Sequence, residues 1–331
     1  MELKIPEVRV LITGGSGFIG TNLVDFFVQK GIEVCNIDNS PPLNPKHVAY
    51  WYRQDILDGK GLLMAFKKFV PTYVVHLAAR TDIYEANSIE DYAANTVGTQ
   101  NVLLAVSQTP SIHRIIIASS MLVCRVGYAP KSDTDYSPPN LYGQSKVFTE
   151  TITRDFNLEA PWTIIRPTTI WGPWSIRYRD EFFSVLRKGW YIHPGKKRIM
   201  KTYGYVGNVV HQINAILHAP MPQVNGKTFY VGDPPLDLRE WVDGFSLLIR
   251  GQSVREAPLA FMRLLAWIGD LLGKCGIRFP LTGFRLGNMT ADNVLDMSPI
   301  LHIAGVGFYT LANGIEETVL WLNDEVAEKP S

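Results

Sequence analysis

Short apolar, β-branched runs alternate with helix-period patterns through the first half of the chain. Val8–Thr13 (VRVLIT) is the first such run. It ends in glycines and gives way to Phe18, Ile19, Leu23, Val24, Phe26 and Phe27, spaced as one face of a helix that Gly31 stops. Further strands are expected at Ile32–Ile37, Tyr73–Leu77, Arg114–Ser119 and Trp162–Arg166, with helices over Asp91–Gln108 and from Leu141 onward. This rhythm predicts right-handed βαβ units and an α/β fold built on a Rossmann-type, doubly wound parallel sheet. After Pro167 it breaks. Gly172-Pro173, Pro194-Gly195, Pro220, Pro222, Gly232 and Pro234-Pro235 punctuate short elements such as Phe229–Val231.

One segment stands out by pattern. Residues 257–273, APLAFMRLLAWIGDLLG, are apolar almost all round, with only Arg263 and Asp270 charged. The segment is too short and too charged to span a bilayer. It reads first as a helix buried against the body or covered by a partner, and otherwise as a peripheral contact with a membrane surface.

Composition narrows the class. The chain has 331 residues, 46% hydrophobic and 19% charged, with 32 basic against 31 acidic residues and a formal net charge of +1. That length suits one large domain or two smaller ones. The apolar fraction excludes a largely disordered chain, and the charge balance argues against nucleic-acid binding. Cys35, Cys124 and Cys275 lie far apart and form neither a disulfide framework nor a metal spacing. No signal-peptide pattern is expected at a start that carries Glu2 and Glu7, so a reducing cytoplasm is the simplest compartment. His193 and His211 stand alone and imply no metal.

The first chemistry is a glycine turn. Thr13-Gly14-Gly15-Ser16-Gly17-Phe18-Ile19-Gly20 joins a strand to a helix. Such a turn lets backbone N–H groups approach a pyrophosphate, and the helix N-terminus adds positive partial charge. Asp38, with Asn39 beside it, ends the second strand and would accept hydrogen bonds from ribose hydroxyls. Its charge opposes a 2′-phosphate, and no Arg or Lys follows before Lys46, so NAD is expected over NADP. Residues 1–167 then form an NAD-binding domain, and residues 168–331 a smaller mixed substrate-binding region sharing part of the sheet.

Tyr142 and Lys146 stand four apart at a helix start, so their side chains share one face. A phenol with a pKa of about 10 is a poor base, but a neighbouring ammonium favours its phenolate. Tyr142 is therefore a candidate acid/base for a hydroxyl that loses hydride to NAD, with Lys146 also able to hold the nicotinamide ribose. Ser119 and Ser120 close the fourth strand, at the carboxyl end where parallel sheets bind ligands.

Together these residues resemble the extended short-chain dehydrogenase/reductase superfamily, in its NAD-dependent epimerase/dehydratase branch. The resemblance covers nearly the whole chain: LITGGSGFIG, His76–Ala79 (HLAA), Tyr92-Ala-Ala-Asn95, IIIASS, YGQSK, Ile164–Pro173 (IIRPTTIWGP) and Tyr205–Val210 (YVGNVV). It implies a triad of Ser120, Tyr142 and Lys146, with Ser120 rather than Ser119 matching because it lies three residues before Val123. It assigns Gly14, Gly17, Phe18, Ile19 and Gly20 to the pyrophosphate turn, Asp55-Ile56 to adenine, and Leu77, Ala78 and Ala79 to the cofactor's flank. A homodimer through a four-helix bundle is also implied.

Departures shape the expected reaction. The Asp-Glu pair of family dehydratases is Met121-Leu122 here, which disfavours dehydration. The family's Asn after Arg-Pro is Thr169, and its diphosphate-gripping Arg is Lys201, a point charge without a fork. Arg177 and Arg179 are candidates to supply that fork. The expected activity is 4-position hydride chemistry on a nucleotide-diphosphate hexose, by an epimerase or ketoreductase. The alternative is a hydroxysteroid-type or other lipophilic-alcohol dehydrogenase, which YVGNVVHQINAILHA and residues 257–273 also fit.

Overall fold

The structure, a computed structural model, describes residues 8–327 apart from Tyr84, Cys275 and Arg278. It divides into two units. The first holds residues up to Ile170 together with Val206–Gly232 and Asp296–Phe308; the second holds Trp171–Tyr205, Asp233–Leu295 and the residues from Tyr309 onward. The chain first crosses between the units after Ile170, three residues beyond the expected boundary at 167, and crosses again several times.

The first unit is built on seven parallel strands. They are β1 (Arg9–Thr13), β2 (Glu33–Asp38), β3 (Trp51–Arg53), β4 (Tyr73–His76), β5 (Arg114–Ala118), β6 (Trp162–Pro167) and β7 (Lys227–Val231), in the order β7-β6-β5-β4-β1-β2-β3. Helices cover both faces, so the central strands are apolar on both sides instead of alternating. Leu11, Ile37, Val74, Ile115, Ile117 and Ile164 face one layer with Leu62, Phe66, Val102 and Leu103, from helices α2 (Gly59–Phe69) and α3 (Val97–Ser107). Val10, Ile12, Val75, Ile116 and Ile165 are also fully buried, as are Leu23, Val24 and Phe27 of α1 (Phe18–Gln29). Each such side chain contributes about 1.5–3 kcal/mol when withdrawn from water. The helix Val206–His218 and β7 return to this unit from the second half of the chain.

The second unit has only short strand pairs. Met200–Lys201 pairs antiparallel with Leu236–Asp237, and Ile192–Pro194 parallel with Arg255–Ala257. Its core is aromatic: Trp171, Phe183, Trp241 and Phe245 are buried, and Phe182 stacks on Trp241 with ring centroids 4.9 Å apart.

Two expected helices differ from the sequence pattern. The helix over Asp91–Gln108 is broken into a 3-10 turn, Glu90–Asn95, and α3. Asn95 is why: its side chain bonds the backbone of Arg80 in both directions (2.8 and 3.0 Å) and also reaches Ser145 Oγ at 2.8 Å. The second difference concerns residues 257–273. Leu259–Lys274 is helical, but only Met262, Ala266 and Gly269 of it are buried. Burial against the body therefore holds for one narrow stripe, which packs on Leu286 of the neighbouring helix Gly283–Thr290.

A buried ion pair ties α4 (Leu141–Asp155) to the sheet. Arg166 of β6 donates Nε and Nη2 to the two oxygens of Glu150, at 2.8 Å each. Ser119 Oγ and Tyr136 Oη donate to the same carboxylate at 2.6 and 3.0 Å. Removing one partner from such a pair strands a buried charge, at a cost of about 3–5 kcal/mol. Arg166→Met should accordingly lower the denaturation midpoint sharply. Arg166→Met with Glu150→Gln should recover much of the loss in the same urea titrations, because no uncompensated charge remains.

Candidate active site

The glycine turn closes on itself. Gly14 sits at φ +77°, a left-handed conformation that glycine adopts without strain, and a Cβ there would strike the Ala78 backbone. Gly20 lies in the first turn of α1 with its α-carbon against the Gly14 carbonyl and Gly15, closer than any side chain would allow. Gly17 differs. Its φ is an ordinary −81°, and a Cβ would meet only the Gly14 carbonyl oxygen, at 3.3 Å. The protein's own packing demands glycine less strongly here than at Gly14 or Gly20. Close approach of an anion to the backbone supplies a further reason. Gly17 is also the N-cap of α1 and offers no side chain to the open N–H groups of the first turn, where Phe18, Ile19 and Gly20 lie. These residues fit a dinucleotide pyrophosphate.

Asp38 ends β2 beside this turn. Its carboxylate accepts from the N–H groups of Ser16 and Ser40, at 3.1 and 3.0 Å. Burial raises its pKa, and those two donors oppose the shift. Asn39 Nδ2 reaches Asp55 at 3.4 Å, and Asp55 accepts from Leu57 N at 2.9 Å. Ile56 is different: its side chain lies in the core, which leaves only its backbone for an adenine contact. Leu77 N donates to the Thr13 carbonyl at 2.9 Å, so residues 77–79 run on from β4 beside the turn. Thr13 Oγ1 and Thr99 Oγ1 bracket His76 at 2.7 and 3.2 Å, and burial pulls this histidine down to about 3. It is neutral at working pH.

The three expected catalytic residues come together through α4 and the end of β5. Asn140 caps α4 by accepting from Gly143 N at 2.8 Å. Gly143 packs on the Leu122 carbonyl with no room for a Cβ, so the first turn of α4 lies flush against the chain that follows Ser120. Tyr142 is thereby set against Ser120, whose hydroxyl bonds the phenol and also accepts from Leu122 N at 3.1 Å. Lys146, one turn on, is buried and donates Nζ to the Ala118 carbonyl at 2.9 Å. Ser119 is occupied by Glu150. Burial pushes Tyr142 up to about 12, with Ser120 pulling it back, and holds Lys146 down at about 8, with Glu150 opposing.

The substrate-side expectations divide between the two units. Thr169 is half-buried at the end of the first unit. Lys201 is buried in the second, its pKa lowered by that burial. Arg177 and Arg179 meet acids on their own segment: Glu181 at 3.5 Å and Asp180 at 2.8 Å. His193 and His211 are half-buried or more, with pKa values depressed by burial. Cys275 lies outside the described residues.

Sequence patterning assigned no role to Asn95, Gly143, Glu150 or Arg166, although all but Glu150 stand in quoted motifs. A helix whose inward face is Tyr, Ser, Lys, Thr and Glu was the available signal, since each buried polar group demands a partner.

Known proteins resemble this chain in sequence and fold. The family model described as NAD dependent epimerase/dehydratase matches residues 10–232. The chain belongs to that family. It is an NAD-dependent enzyme of the extended short-chain dehydrogenase/reductase type. It is 27% identical over 326 residues, 94% of each chain, to the N-acetyl-alpha-D-glucosaminyl-diphospho-ditrans,octacis-undecaprenol 4-epimerase of Escherichia coli O157:H7. It is 29% identical over 306 residues to the 3-beta-hydroxysteroid dehydrogenase of Mycolicibacterium neoaurum, covering 84% of this chain and 81% of the relative. The UDP-glucose 4-epimerase of Thermotoga maritima, solved with UDP-glucose, has the same fold (TM-score 0.73, 21% identity, 96% of this chain and 100% of that one). So does that of Thermus thermophilus, solved with NAD (TM-score 0.69, 22% identity, 96% and 99%).

The two shifted groups predict opposite pH effects. Between about pH 8 and 10 Lys146 is neutral when folded and protonated when unfolded, so its contribution to stability rises with pH. Above about pH 10 Tyr142 keeps its proton only when folded, so its contribution falls as pH rises toward 12. Melting curves of wild type against Lys146→Met and Tyr142→Phe should isolate each slope, at most about 1.4 kcal/mol per pH unit.

Proposed function

We propose that the protein is an NAD-dependent 4-epimerase, or a closely related ketoreductase, acting on a hexose carried on a nucleoside diphosphate. The observation that carries this reading is the buried Ser120–Tyr142–Lys146 group beside the glycine turn, with Met121 and Leu122 following Ser120. When bound, NAD supplies the hydride acceptor and donor. Tyr142 Oη takes the proton of the sugar hydroxyl and returns it. Ser120 Oγ holds the sugar oxygen against that phenol, and the Lys146 cation favours the phenolate. Neither Met121 nor Leu122 can protonate a leaving hydroxyl, so ring dehydration has no acid at the position where family dehydratases keep one.

Thr169, Lys201, Arg177 and Arg179 are assigned to substrate. Recruiting Arg177 costs little, because an exposed ion pair such as that with Glu181 is worth at most about 1 kcal/mol. The E. coli relative, by its name, acts on a sugar linked to undecaprenyl diphosphate. A polyprenyl diphosphate therefore belongs beside the nucleoside diphosphates in the same test.

Purified enzyme incubated with UDP-, GDP- and dTDP-hexoses should interconvert 4-epimers without net NADH, and the productive sugar should raise the melting temperature. Tyr142→Phe should lose about 10²–10⁴ of the rate while still binding NAD. Turnover of an apolar alcohol with stoichiometric NADH, and none of the sugars, would overturn the proposal in favour of a lipophilic-alcohol dehydrogenase.

We also propose a homodimer through α3 and α4; in support, these helices pack together and leave Val97, Leu104 and Phe148 exposed. Sedimentation velocity should give a dimer, and Leu104→Glu with Phe148→Glu a monomer that still binds NAD. The buried free thiols Cys35 and Cys124 fit a reducing cytoplasm.

A further inference from the structure

The helix Leu259–Lys274 presents two unlike faces. Met262, Ala266 and Gly269, at spacings of four and three, form the buried stripe. On the opposite side Leu264, Trp267 and Leu271 are 54%, 63% and 50% exposed, and Phe261 at their margin is 48% exposed. With 100° per residue, Leu264, Trp267 and Leu271 fall within about 60° of one another. No polar residue interrupts that sector. Arg263 and Lys274 project together along one border, at most about 40° from Trp267, and neither has an ion-pair partner among the described residues. Asp270 shares that border, but its carboxylate is taken by the N–H of Gly283, at 3.1 and 3.2 Å.

This neighbourhood is fixed in place. Gly269 lets the Leu281 carbonyl approach more closely than any side chain would allow, and Asp270 holds the first N–H of the helix Gly283–Thr290. The exposed sector therefore cannot fold inward without breaking the hairpin. That second helix exposes Phe284 and carries Arg285, which pairs with Glu181 at 3.3 Å.

We propose that the helix Leu259–Lys274 lies in the interface of an anionic lipid bilayer, inserting Leu264, Trp267 and Leu271 while Arg263 and Lys274 meet lipid phosphates. Three observations select this occupant. The helix has 16 residues, and no described helix is long and apolar enough to cross a membrane, so it lies along the surface. Tryptophan combines a large apolar ring with an N–H that prefers the wet boundary. The border keeps a net positive charge, with Arg263 and Lys274 against the single carboxylate of Asp270, so a symmetric contact with a second copy would bring two like-charged borders together, whereas an anionic surface neutralises them. The inference is independent of the carrier that holds the sugar.

Vesicle co-sedimentation of the full chain tests it. Wild type should sediment with phosphatidylcholine vesicles containing phosphatidylglycerol, less with phosphatidylcholine alone, and less at high salt. Leu264→Ser with Trp267→Ser, and separately Arg263→Glu with Lys274→Glu, should each weaken binding about tenfold or more. All four residues are exposed, so both variants should keep the wild-type circular dichroism spectrum and the NAD-induced rise in melting temperature. Failure to sediment with any vesicle, or binding that both variants retain, would overturn the proposal. So would loss of a higher oligomer in the variants without lipid, which would make this face a contact between copies.

Discussion

The first unit depends on one helix that buries its polar side. Tyr142, Ser145, Lys146, Thr149, Glu150 and Thr153 all point inward from α4. An ordinary amphipathic helix gains its place by withdrawing apolar surface from water. This one must instead find a hydrogen-bond partner for every group it buries, because an unsatisfied buried polar atom costs about 1–3 kcal/mol. The partners come from three separate segments. Asn95 takes Ser145 and, through its carbonyl, Thr149; Ala118 O takes Lys146; Ser120 takes Tyr142; Arg166 and Ser119 take Glu150. Stability and chemistry share these contacts, and the groups that fix α4 also set the environments of Tyr142 and Lys146.

Those environments explain a poised site. In the protein alone, burial favours the uncharged forms of both Tyr142 and Lys146. Positive charge brought by oxidised nicotinamide would favour the phenolate, drawing Tyr142 toward the state in which it can accept a proton. Glu150 acts at one remove: one turn beyond Lys146, it opposes the lowering of that pKa while its own charge is held by Arg166.

Much of this was legible along the chain. Continuous apolar runs and period-3.6 patterns gave the first strands and α1 to within a residue or two, since a parallel sheet covered on both faces leaves apolar runs between glycines and caps. The glycine turn and the Tyr142/Lys146 pair were readable because their chemistry is local. The break at Asn95 was not, because an apolar helical pattern continued through it while the bonds that interrupt it run to Arg80 and Ser145. Strand β3 was equally hidden, because three residues make no period; β7 was legible as the short element Phe229–Val231 and a shared sheet, but not its place beside β6, which pairing partners settle.

Sequence alone determined where the chain turns tightly, where a helix N-terminus stands open to an anion, and which phenol and ammonium share a face. Each rests on residues within one turn or one loop of one another. Only the tertiary structure decided that Ser119 is taken by Glu150, that Ile56 gives its side chain to the core, and that Glu150 and Arg166 form a buried pair. It also decided that Leu259–Lys274 keeps its apolar side outward. These depend on what lies opposite each residue, and that is set by the crossing of distant segments, which no local pattern encodes.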